Sequence, residues 1–153
     1  AVTGGTAVMD AQLMGSGAGA GVASFLHFLD AEIEAGKDFD AVMDGVIARR
    51  EKVLGFGRPV VGPDERVPPV QALMRRFGRD QGKHVTRVRR IEARLFAAKG
   101  LQSNVGAWIG AVMCDLGFTP DGVHAMCNIY LAPCIYAQAA FSAERGVPRT
   151  PAR

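Results

Sequence analysis

The run from residue 122 to residue 143 carries no formal charge, and no Lys or Arg occurs anywhere between residues 100 and 144. An uncharged run of that length has to be covered, by lipid or by protein. It includes His124, Asn128, Pro133, Gln138 and Ser142, with Tyr130 and Tyr136 near its middle. Polar groups at that density suit a central helix of a protein core or a dimer better than a bilayer span, so no membrane is expected as a partner. The other charges are sorted around this element. Residues 75–99 hold nine basic and two acidic side chains, whereas residues 1–74 hold ten acidic and six basic. A basic middle beside an uncharged end predicts one solvated face and one deeply buried element.

Helical spacing dominates the rest. Val22, Phe25, Leu26, Leu29 and Ile33 share one face of a predicted helix over 22–35. Asp38 is an expected N-cap for a second helix with the stripe Phe39, Val42, Met43, Val46 and Ile47. The segment LGFGRPVVGPDERVPPV at 54–70 is too rich in Gly and Pro for a helix and reads as a linker or a shaped binding loop. Pro69 fits the start of a third helix with the stripe Val70, Leu73, Met74 and Phe77. HVTRVRRIEARLFAA at 84–98 sets Val85, Val88, Ile91 and Leu95 against arginines. The expected role of that basic face is solvation. Nothing beside it supports base readout, and the net charge of +3 is small, so no nucleic acid is expected. Asn104 and Gly117 bracket a short apolar helix, and Pro120 opens the last one, which Pro133 is expected to break or kink near Ala132. The fold class is therefore all-α.

Two tempting motifs lead nowhere. GSGAGAG at 15–21 has no strand before it and no Lys-Ser/Thr after it, so it reads as a flexible break rather than a phosphate loop. Cys114, Cys127 and Cys134 are odd in number and read as buried small side chains of a reducing, cytoplasmic chain. No metal-ligand spacing joins them to His27, His84 or His124, and no metal is expected.

Longer stretches carry a resemblance. ARREKVLGFGRPVVGPDER is similar to the Lys-hydrophobic-Gly-Phe-Gly-His…Asp-Pro-Arg signature of the citrate synthase family. GKHVTRVRRIEARL, then LQSNVGAWIGAVMCDLGFTPDGVHAM, resembles the part that follows it, and AVTGGTA sits where the family has a Leu-His-Gly-Gly-Ala turn. The Pro after Gly-Phe-Gly-x, the Asn-Val helix and the Asp-Leu-Gly-Phe end resemble the citryl-CoA lyase-like branch. The resemblance covers only the family's C-terminal part.

It implies a multihelical small domain with C-terminal helices returning to a large domain. Residues 1–21 would be the entry turn and helix, 22–118 the small domain that binds CoA and substrate, and 119–153 the large-domain helix and tail. It implies carbon–carbon bond formation or cleavage between a CoA thioester and a 2-oxo acid, with acyl-CoA or citryl-CoA as ligand and no covalently bound cofactor. It also implies a homo-oligomer, or a second chain supplying the large domain. Val53, Leu54, Gly55, Phe56 and Gly57 match the segment that cradles the CoA adenine. Arg66 matches the Arg of Asp-Pro-Arg, a grip for a substrate carboxylate shared here with Arg58. The catalytic positions are degenerate. The family's two His fall at Thr3 and Arg58, and its Asp at Gly106 or Val105. Gly106 supplies no base, and an arginine is no base near neutral pH. A second family Arg falls at about Leu131. An inactive homologue, serving as a subunit or a CoA-binding partner of a catalytic chain, is the alternative reading.

Overall fold

A computed structural model describes residues 16–58 and 62–144. Six helices account for most of them: α1 (Ser16–Glu34), α2 (Phe39–Ala48), α3 (Val67–Arg76), α4 (Lys83–Lys99), α5 (Val105–Asp115) and α6 (Pro120–Glu144). Among the described residues the only β pairing is an isolated antiparallel bridge between Phe56 and Ser103, so the all-α reading holds.

The stripes explain the packing. Val85, Val88, Ile91 and Leu95 of α4 are buried, as are Phe39, Val42, Met43 and Val46 of α2. Asp38 caps α2, its Oδ2 accepting from the amides of Asp40 (2.9 Å) and Ala41 (3.1 Å). The α2 helix stops at Ala48, and Arg50 then takes a left-handed conformation. Pro68 and Pro69 stand in the first turn of α3, where a missing N–H does no harm. Only Met74 of that helix is buried. Leu73 and Phe77, expected in its core stripe, are exposed because no described element covers that side.

Three expectations give way. Residues 16–20 continue as helix into α1 rather than forming a flexible break. The small residues there serve close packing. A Cβ on Gly19 would sit 3.0 Å from Cys127 Sγ, and one on Gly110 would sit 3.1 Å from the Gly19 carbonyl oxygen. Glycine thus lets α5 and α6 approach α1, which repays its poor helix propensity. Second, α6 runs unbroken through Pro133. A proline removes one helical N–H bond, here to the Ile129 carbonyl. Ile129 and Pro133 both face solvent, which can take up the freed oxygen. Third, the buried hub is α5, not α6. The α5 helix packs against α1, α3, α4 and α6 and buries Ala107, Trp108, Gly110, Ala111 and Cys114. Among the described side chains of α6, only Val123 and Cys127 are fully enclosed, whereas Met126, Ile129, Tyr130, Tyr136 and Phe141 are exposed. Cys134 is exposed as well, unlike Cys114 and Cys127. No helix among the described residues is long and apolar enough to cross a membrane.

Candidate functional site

The loop after α2 is laid against the loop before α5 by backbone bonds. The Gly57 amide donates to the Gln102 carbonyl (2.7 Å), and the Asn104 amide donates to the Gly55 carbonyl (2.8 Å). Asn104 does two further jobs. Its Nδ2 donates to the Gly57 carbonyl (2.9 Å), and its Oδ1 caps α5 by accepting from the Gly106 amide (2.9 Å). Gly55 has φ +85° and is pressed onto α1 and α5, where a Cβ would overlap Val22 and lie 3.1 Å from Ala107 Cα. The strict need for glycine is therefore steric as well as conformational.

These loops wall a cleft of about 530 Å³. Val53, Leu54, Gly55, Phe56, Gly57 and Arg58 line it together, joined by Ala18, Glu51, Lys52, Leu95, Lys99, Leu101 and Asn104. Its size and mixed apolar and cationic lining match a small-molecule site. The entire predicted CoA segment thus shares one cleft. Gly106 does not line it; it neighbours two residues that do, Asn104 and Ala18, and contributes no side chain. Thr3 lies outside the described residues. Lys52 and Lys99 were missed as site candidates. Lys52 adjoins the predicted segment in sequence, but Lys99 gave no signal beyond its place in a basic helix.

Arg58 also borders a smaller hollow of about 190 Å³ with Asp64, Gln102, Ser103 and Asn104. Its Nη1 donates to Glu65 Oε2 (2.6 Å) and to the Pro63 carbonyl (2.7 Å). That pairing lowers the Glu65 pKa. Arg66 is engaged elsewhere: its Nε and Nη2 grip both oxygens of Asp64 at 2.8 and 2.9 Å. Asp64 is only 3% exposed and also accepts from the Val105 amide (2.8 Å) and the Arg66 amide (3.1 Å). The Arg66 hydrogen bonds hold its carboxyl well below the usual carboxylate range, outweighing burial, with the Val105 amide adding to them. Reciprocally, Asp64 raises the pKa of Arg66. Arg66 lines neither hollow.

A second polar cluster holds helices rather than a cavity. Gly82 leaves the N-terminus of α4 without a side-chain cap, and Asp115, at the end of α5, supplies one across space. Its carboxylate accepts from the amides of His84 (2.8 Å) and Val85 (3.2 Å). The His84 ring bridges Asp115 (Nδ1, 2.8 Å) and Asp30 (Nε2, 3.0 Å), and Asp30 also pairs with Lys83 and Arg87. The basic face of α4 is similarly engaged: Arg94 pairs with Asp40 and Asp44, and Arg90 stacks on Phe39, 3.9 Å from its ring centre. No group of three or more His, Cys, Asp or Glu side chains among the described residues is placed to hold a metal ion.

Comparison with protein families gives a match to the citrate synthase C-terminal domain over residues 1–141. No curated protein and no solved structure matches the chain. The Gly-Phe-Gly loop, the Asn104 cap and the all-helical frame agree with that match, and the chain belongs to the citrate synthase family, to its C-terminal domain.

Proposed function

We propose that this chain binds a CoA thioester in the cleft of residues 53–58 and serves the family's carbon–carbon chemistry by holding that ligand. The observation that carries this reading is the convergence of Val53 to Gly57 on one cleft whose rim also brings Lys52, Arg58 and Lys99 together. Apolar walls suit a base, and the cations Lys52 and Lys99 suit phosphates. Among the described lining residues there is no His and no Asp, and Glu51, the one carboxylate, is paired with Arg49 at 2.5 Å. The acid/base groups for a carbon acid would therefore come from outside this cleft. The acid end of the substrate falls to Arg58 rather than Arg66, whose fork is occupied by Asp64.

Calorimetric titration of the full chain with CoA and acetyl-CoA tests the reading. Binding is expected to weaken with salt and to fall about tenfold in the Lys52→Glu/Lys99→Glu variant. Absence of binding at millimolar ligand overturns it. A subunit role is supported separately by the exposed apolar side chains of α6. A helix that is uncharged from residue 122 to 143 and shows little one-sidedness is made for a covered position, here against a second copy or a chain carrying large-domain helices.

A further inference from the structure

We infer that Glu65 is a built-in competitor at the anion site of Arg58, holding the guanidinium when no ligand is bound and yielding it to a substrate carboxylate. The inference rests on the reading of residues 53–58 as a CoA-thioester cleft and concerns the acid end of that site.

The two arginine–carboxylate pairs of this loop have opposite polarity. In Arg66–Asp64 the anion is the buried partner: the Asp64 side chain is fully enclosed and the Arg66 side chain is 59% exposed. Asp64 is anchored by two backbone amides besides the guanidinium, so it has nowhere to go. In Arg58–Glu65 the cation is the enclosed partner, at 20% exposure, while the Glu65 side chain is 72% exposed. An enclosed guanidinium needs an anion, but an exposed carboxylate does not need the guanidinium, because water rehydrates it when it swings away. Only the second pair can exchange its anion.

Position adds to this. Arg58, with Gly57, Leu101 and Asn104, borders both hollows, so it stands where a thioester bound in the larger one would present its acyl end to the smaller. The Pro63 carbonyl holds Nη1 independently of Glu65, so the guanidinium stays aimed during an exchange. Replacing one carboxylate by another leaves the charge of the site unchanged. A neutral acyl end gains nothing from displacing Glu65, and the pair thereby selects for acids.

The experiment titrates the full-length wild type, Glu65→Gln and Arg58→Gln with citrate as the carboxylate probe, and the first two with CoA, at fixed ionic strength. Glu65→Gln is expected to bind citrate about fivefold more tightly, as loss of an exposed ion pair predicts, with CoA affinity unchanged. Arg58→Gln is expected to lose citrate binding. Melting curves check that both variants fold. Equal citrate affinity in wild type and Glu65→Gln overturns the inference. So does a gain shared equally by CoA, which marks a through-space charge effect. Citrate binding retained by Arg58→Gln, or absent from all three proteins, overturns it too. Should the citrate results hold while CoA fails to bind, the cleft reading falls and the exchange stands.

Discussion

Asp64 shows how one buried carboxylate can tie a loop to a helix. It collects the Arg66 guanidinium and the amides of Arg66 and Val105, so it fixes the loop and supplies a second acceptor at the start of α5. Its folded pKa is depressed, so the stability it contributes is present above the unfolded carboxylate value of about 3.9 and is lost as pH falls toward the folded value. Wild type is therefore expected to lose stability below about pH 4, and Asp64→Asn to flatten that part of the profile. At pH 7 the same variant should be less stable by about 2 kcal/mol in urea unfolding, the usual worth of charge-assisted bonds. The resemblance alone marks Asp64 and Arg66 as motif positions. Only the coordinates reveal that they spend their charge on each other.

Between elements, the telling contact is Asp115 capping α4. Gly82 is small because the Asp115 carboxylate occupies the space a Cβ would take. Gly82→Ser should thus destabilise the wild type, by clash, yet stabilise Asp115→Ala, by supplying the lost cap from its own hydroxyl. The single variant Asp115→Ala should cost about 1 kcal/mol. Thermal melts of the four combinations check the reversal of sign. In α6, Pro133→Ala should stabilise by about 1–3 kcal/mol, since it restores a helical N–H bond at an exposed position. A melting temperature that fails to rise would mean that the proline is required by whatever covers this helix.

For the whole molecule, the outstanding feature is an apolar helix with one side on α1 and the other not covered by any described element. Ile129 is 65% exposed and Tyr136 is 54% exposed, with Met126, Tyr130 and Phe141 nearby in the sequence of turns. Light scattering is expected to give a mass above 16.2 kDa for the chain, and Ile129→Glu/Tyr136→Glu to return it to that value. A wild-type mass of one chain at micromolar concentration would remove the subunit reading. The stripes of α2 and α4 and the caps Asp38 and Asn104 were legible in the sequence because they depend on neighbours within four residues. The uncharged run was legible as an apolar element, but its burial was not, since covering a helix is a property of what packs on it. The Gly-rich start of α1 was misread for a related reason: propensity opposes helix there, and close approach by Cys127 and Gly110 overrides it. The cleft follows the same division. The segment from Val53 to Gly57 was readable as a motif, whereas Lys99, the Glu65 partner of Arg58 and the Asp115 cap were settled by tertiary structure. Local spacing fixes which residues can share a face, and only the packed chain decides which charges meet.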